Sequence, residues 1–227
     1  MRTAALALLL ASPAAAQLCD QPFSPTRPGW VWQYQVIGER SYTYTIRKTQ
    51  ITPNGYTQVR EGPGGQEESR YRCTEQGIYP VDFGSQGAGR AEMGGQPVSY
   101  NLEVVRVTGV AIPDYDAWAV GNSWKLTLEV RGSGQQGPLR FSLSGTLETT
   151  YKVVAQETVV TPAGRFLAYR LQTQFSTRLR ASTGPLSLPF NFDSQGTSWY
   201  AENVGLVKSI QKTREGESVT ELVALRR

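Results

Sequence analysis

The sequence predicts an all-β fold: a strongly curved antiparallel sheet in a single domain, built as an open barrel or sandwich-like. Apolar and polar residues alternate with period two along most of the chain, which sends successive side chains to opposite faces of a strand. Gly and Pro turns recur at short intervals, and no segment makes a convincing helix. Meanders of half-buried strands fit this pattern, whereas parallel βαβ units do not. The 227 residues suit one domain of that class.

Residues 1–16 read as a signal peptide: Arg2 is a short positive region, 4–10 is an apolar run, and Ala14-Ala15-Ala16 is a small-residue cleavage site. Export is the expectation that follows, to the periplasm or the cell surface. Cys19 lies near the leader, but a bulky Leu18 directly before it does not suit lipoprotein processing, so lipidation is not expected. Residues 17–29 form a proline-rich N-terminal arm in which Pro22, Pro25 and Pro28 cannot support a ladder. The antiparallel β domain occupies 30–227. Cys19 and Cys73, two cysteines in an exported chain, read as one disulfide that pins the arm. On the chain-entropy model, a loop of about 55 residues gives a stabilisation of roughly 4 kcal/mol.

Trp30, Trp32, Tyr34 and Val36 fall on alternate positions of the first strand. Large rings on one face need a deep apolar partner, so Trp30 and Trp32 are expected to be largely buried. Gly38-Glu39 turns the chain into 41–51, where Tyr42, Tyr44 and Ile46 share a face, giving the clearest hairpin in the sequence. Strands at 56–61 and 68–74 follow around the loop at 62–65, then a short one at 77–83. The Gly-rich stretch 84–95 reads as a loop. Next come 98–110 and the strand in which Trp124, Leu126, Leu128 and Val130 alternate with Lys125, Thr127, Glu129 and Arg131. Gly132 to Gly137 reads as a hairpin loop. Strands at 141–154, 157–160 and 166–179 follow, the last with Leu167, Tyr169, Leu171, Phe175 and Leu179 on one face. Three more, at 186–191, 198–210 and 218–225, complete the chain.

Composition limits the chemistry. The chain has no histidine, which removes Ser-His-Asp and Cys-His nucleophile activation and histidine-based metal sites. No catalytic, cofactor-binding or metal-ligating residue is assigned, and no cofactor is expected. Asp114-Tyr115-Asp116 lacks the further ligands of a calcium loop and reads as a turn in which Asp bonds to local backbone. Gly132-Ser133-Gly134-Gln135-Gln136-Gly137 matches the spelling of a dinucleotide fingerprint, but Pro138 and a second strand follow where a helix N-terminus is required. The net charge of +4 is small and mixed in sign, so neither nucleic acid nor an anionic membrane surface is favoured. No apolar run of membrane-helix length follows the leader. A transmembrane barrel is disfavoured by strongly charged strand faces and short loops.

Four segments, in order, carry a resemblance: Trp30-Val31-Trp32-Gln33-Tyr34 after Arg27-Pro28-Gly29; Val120-Gly121-Asn122-Ser123-Trp124; Val160-Thr161-Pro162-Ala163-Gly164-Arg165-Phe166; and Trp199-Tyr200-Ala201-Glu202-Asn203-Val204-Gly205-Leu206-Val207-Lys208. In them the chain resembles the TapB-like and related domains of unknown function of exported bacterial proteins. The resemblance implies a curved antiparallel sheet in the bacterial envelope and brings no catalytic residues.

Three functional readings result. The first is a non-enzymatic structural or interaction module of the cell envelope, an accessory subunit associated with an outer-membrane or surface assembly and docked on a protein partner. The second is a binding module for a lipid or other hydrophobic small molecule in a curved-sheet cavity. For either reading, Trp30, Trp32, Tyr42 and Tyr44 are the candidate ligand or partner surface. The third is a carboxylate-based hydrolase, for which no local feature speaks.

Overall fold

The computed structural model describes residues 18–39, 41–83, 88–93, 96–213 and 216–227. The leader assigned to residues 1–16 lies outside them. Among the described residues fourteen strands form one antiparallel sheet: β1 (Val31–Ile37), β2 (Tyr42–Thr52), β3 (Gly55–Gly62), β4 (Gly65–Thr74), β5 (Gly77–Pro80), β6 (Ala88–Met93), β7 (Gln96–Gly109), β8 (Ile112–Pro113), β9 (Ser123–Gln136), β10 (Leu139–Thr161), β11 (Gly164–Thr183), β12 (Leu186–Ala201), β13 (Gly205–Thr213) and β14 (Gly216–Arg226). The helical content among them is a single 3₁₀ turn, Tyr115–Trp118, whose first N–H is held by the Asp114 carboxylate at 2.8 Å. That is the local use expected of the Asp114-Tyr115-Asp116 turn.

Spatial order is β6-β7-β9-β10-β11-β12-β13-β14-β1-β2-β3-β4-β5-β8. β1, first in sequence, therefore lies between β2 and β14, with Trp32 opposite Ile46 on one side and Leu225 on the other. The sheet is open, ending on β6 and β8. It is nevertheless bent enough for distant strands to meet. Ala163 at the β10–β11 turn donates to the Leu222 carbonyl at 3.1 Å, and Ala111 donates to the Ile78 carbonyl at 2.8 Å. Bulges between Gln33 and Tyr34, Val153 and Ala155, and Trp199 and Tyr200 lie along the bend, where an extra residue increases local twist.

Several element boundaries differ from the sequence expectation. Of the stretch 84–95, residues 88–93 are strand β6 rather than loop; 84–87, 94 and 95 lie outside the described residues. Gly132 and Gly134 belong to β9, and the turn is Gly137-Pro138. A Cβ on Gly132 would meet the Asn101 carbonyl oxygen, and one on Gly134 the ring of Phe141, so these glycines permit close strand packing. β10 is continuous from Leu139 through Thr161, absorbing the expected break as the bulge at Val153. The expected strand 198–210 is instead the end of β12 and most of β13, divided by a turn where Asn203 takes a left-handed φ of 57°. Leu167 is 62% exposed while Ala168 is buried against Val159, Trp199 and Leu222, so near the β10–β11 turn the covered face is the opposite one.

The arm covers the trough. Pairing only through an isolated Gln21–Ser24 bridge, it lies over the apolar face with Phe23, Pro25 and Thr26 buried. The Phe23 ring lies tilted 4.0 Å from Trp118 and meets Tyr169 edge-on at 5.4 Å. These rings join Val153 and Leu171 in one core cluster, with Trp124, Tyr151 and Tyr200 packed around it. The Cys19–Cys73 disulfide, its Cα atoms 5.2 Å apart, ties the arm to β4, and both cysteines are buried.

Trp32 is 4% exposed and its indole N–H donates to the Val204 carbonyl at 2.7 Å. Trp30 is half-buried, with the guanidinium groups of Arg27 and Arg227 each 5.0 Å from its ring. The expectation of deep burial therefore holds for Trp32 and is corrected for Trp30, whose ring lies where arm and C-terminus meet. Trp32→Ala is expected to cost about 3–5 kcal/mol and Trp30→Ala clearly less, as measured by urea unfolding. Removing the disulfide with Cys19→Ser and Cys73→Ser is expected to cost roughly 4 kcal/mol and to open the arm to trypsin at Arg27.

Candidate functional site

Between the arm and strands β1–β5 lies a cavity of about 240 Å³. The arm supplies Phe23, Ser24 and Pro25 to its wall, β1 Trp32 and Tyr34, and β2 Ile46 and Lys48. Tyr56, Gln58 and Tyr71 come from β3 and β4, and Tyr200 closes the far side. Strand periodicity assembles this set. Trp32 and Tyr34 alternate on β1 and pair with Ile46 and Tyr44, Lys48 continues the β2 face and pairs with Gln58, and Tyr56 pairs with Tyr71.

Lys48 is the unusual member, a buried cation on an otherwise apolar face. Its Nζ donates to the Ser24 carbonyl at 3.0 Å, Ser24 Oγ at 2.7 Å and Thr26 Oγ1 at 3.1 Å. It also lies 4.4 Å from the Tyr56 ring centroid and 5.9 Å from that of Trp32. None of its hydrogen-bond partners among the described residues is a carboxylate. The nearest acidic influence is Asp20, which accepts from the Thr26 backbone N–H at 2.9 Å and pairs with Arg27. Burial pushes the Lys48 amine down to about 7, and the Asp20 charge offsets part of that shift.

The phenols around it divide into two sets. Tyr34 donates to the Leu206 carbonyl at 2.9 Å, and Tyr56 bonds with the Ser24 side chain. Tyr71 and Tyr200 have no hydrogen-bond partner among the described residues although both line the cavity. Burial raises all four above the usual phenol range. The arrangement can hold a small molecule through one cation, two free hydroxyls and several ring faces. The Lys48 amine and the Ser24 hydroxyl, 2.7 Å apart, also have the spacing of a base and a hydroxyl.

The residues singled out from the sequence fall in different places. Cys19 and Cys73 are joined beside the cavity, and Trp32 is part of its wall. Trp30 is outside it. Tyr42 and Tyr44 are bridged by Arg60, whose guanidinium sits 4.2 Å from the Tyr44 ring and donates to the Tyr42 hydroxyl at 3.2 Å. Tyr42 borders a separate open hollow of about 450 Å³ with Pro63 and Glu67. Lys48 was not singled out, although its place two residues after Ile46 in the Tyr42-Tyr44-Ile46 series marks a charge on an apolar face.

A second feature lies at the far end of the sheet, where the β9–β10 and β11–β12 turns sit side by side. Leu139 is 47%, Leu186 68% and Leu188 69% exposed. The three share a face, since Leu188 and Leu143 both pair with Ala181 and Leu139 alternates with Leu143. Arg140 and Arg180 point to the other face, exposed, and neither is in an ion pair among the described residues.

The buried amine and phenols set the pH profile of stability. An unfolded lysine keeps its proton up to about pH 10.5, whereas native Lys48 releases it near 7. Between those values the unfolded chain binds more protons, so stability rises with pH, by at most about 1.4 kcal/mol per unit. Above pH ~10 unfolded phenols ionise while native Tyr151, held up to about 12 by burial, and the still higher Tyr56 and Tyr200 do not. Stability then falls. Denaturation midpoints are expected to peak near pH ~10, and Lys48→Met is expected to flatten the rising limb while leaving the alkaline fall.

Residues 145–223 match the family described as DUF3108-like. That agrees with the broad resemblance to domains of unknown function and does not bear on the narrower TapB-like assignment. No curated protein matches the chain. Among solved structures, the chain is similar to a candidate lipoprotein of Parabacteroides distasonis, with 17% identity over 91% of this chain and 99% of that one and a TM-score of 0.48. It is also similar to a candidate exported protein with a YmcC-like fold from Bacteroides fragilis, with 18% identity, 91% and 100% coverage and a TM-score of 0.43. The hypothetical lipoprotein YmcC of Escherichia coli follows with 12% identity, 91% and 89% coverage and a TM-score of 0.35.

Proposed function

We propose that the chain is an exported, non-enzymatic interaction module of the cell envelope that docks on a protein partner through the leucine-bearing end of its sheet. Export is supported by the leader pattern of residues 1–16 and by the Cys19–Cys73 disulfide. The observation that carries the docking reading is the exposure of Leu139, Leu186 and Leu188 together on one sheet face. Unpaired Arg140 and Arg180 at the same tip suit an acidic rim around the partner's apolar patch. Over residues 186–194 the outer edge of β12 has no strand beside it among the described residues, and Pro189 removes an N–H there, so contact through side chains is favoured over strand addition.

The non-enzymatic reading draws support from the carboxylates themselves, many of which are engaged in ion pairs: Glu61 with Arg47, Asp82 with Arg70, Glu129 with Arg106 and Glu221 with Lys208. A lipid carrier is the weaker alternative, because the arm already occupies the trough and the remaining 240 Å³ lies below the roughly 300–1,000 Å³ of drug-sized pockets.

Native envelope solubilised in mild detergent is expected to yield the wild-type chain in a larger assembly and a Leu186→Ser/Leu188→Ser variant as a monomer with unchanged melting. Wild type recovered only as a free monomer, or a variant still assembled, overturns the proposal. Binding of the purified chain to phospholipid vesicles with the same leucine dependence replaces the protein partner by a lipid surface.

A further inference from the structure

We infer that the cavity between the N-terminal arm and strands β1–β5 binds a compact organic carboxylate, a single ring or short chain bearing one acid group. The inference stands apart from the docking surface, which lies at the other end of the sheet.

Size and lining set the class. About 240 Å³ is the share of roughly eight waters, room for one ring and a carboxylate but not for an acyl chain or a nucleotide. The walls offer the ring faces of Trp32, Tyr34 and Tyr56, which suit an apolar body. The hydroxyls of Tyr71 and Tyr200 line the cavity and have no hydrogen-bond partner among the described residues, so they are available as donors to an occupant. A carboxylate offers two oxygens with about four acceptor positions between them, enough to take both O–H donors.

Charge supplies the remaining argument. All three Lys48 hydrogen bonds go to neutral oxygens of the arm, and Asp20 is committed to Thr26 and Arg27. Below about pH 7, where Lys48 keeps its proton, the ammonium is satisfied in hydrogen bonding but not in charge. An anion a few ångströms away gains more from it beside this buried amine than it would in water. The Gln58 side chain, opposite Lys48 on β3, adds an amide that can donate to the same group. A cationic ligand would meet like charge wherever Lys48 holds its proton, and an anionic one favours its keeping that proton.

Titration calorimetry of the mature chain with acetate, benzoate and 3-phenylpropionate, each beside its neutral amide, tests this. At least one acid is expected to bind with its amide about tenfold weaker or more, and Lys48→Met is expected to erase the difference. The double variant Tyr71→Phe/Tyr200→Phe removes only two oxygens and leaves the walls in place; it is expected to weaken the acid several-fold and spare the amide. No binding by any of the three acids at concentrations on the order of 10 mM overturns the inference. So does equal affinity for acid and amide, or an acid preference that survives both variants.

Discussion

A sheet bent into a trough leaves one apolar face on the inside of the bend, and that face must be covered before the bend is stable. Here the covering comes from the chain's own N-terminal arm. Phe23 enters among Trp118, Tyr169 and Leu171, the arm oxygens of Ser24 and Thr26 receive the Lys48 ammonium, and the disulfide to Cys73 holds the segment at the right depth. The curvature, the cavity and the unusual lysine all depend on that contact. A proline-rich segment suits the task because it has few N–H groups to leave unpaired and little conformational freedom to lose.

The two ends of the sheet differ in chemistry. At the arm end, hydroxyls, an amide and an amine lie among aromatic rings, and the amine is bonded to the arm's own oxygens. At the far end, long strands project past the covered region, and apolar side chains reach the tip without a covering layer. β9 changes character along its length, from Leu126, Leu128 and Val130 buried in the trough to Gly132 and Gly134 pressed against neighbouring strands.

Much of the fold was legible because half-buried strands announce themselves by alternation. Trp32 with Tyr34, and Leu126 through Val130, lie on the inner face as their spacing implies. What the sequence concealed follows from bulges and bends. A bulge at Val153 and the folding of the β10–β11 turn onto β14 reverse which face is covered, so Leu167 and Ala168 exchange roles although Leu167 keeps step with Leu171. Glycines inside β9 resemble a loop until the partner strand is known. The candidate site was half legible: Trp32 and the two cysteines stand beside it, whereas Tyr42 and Tyr44 belong with Arg60 and the hollow next to it. Lys48 was hidden because its burial is created by a segment more than twenty residues away in sequence.

The pairing of β1 with β14 has a consequence for how such a chain reaches its fold. Trp32 finds the acceptor for its indole N–H 172 residues further on, and the strand that holds it, paired early with β2, gains its second neighbour only when the last strand arrives. Contacts of such separation are slow to form and keep the first aromatic strand unsatisfied until the whole chain is present. For a polypeptide threaded outward from its N-terminus, this delays closure of the central sheet until passage is complete. The order of strands thereby leaves the central sheet incomplete until the C-terminal strand is in place.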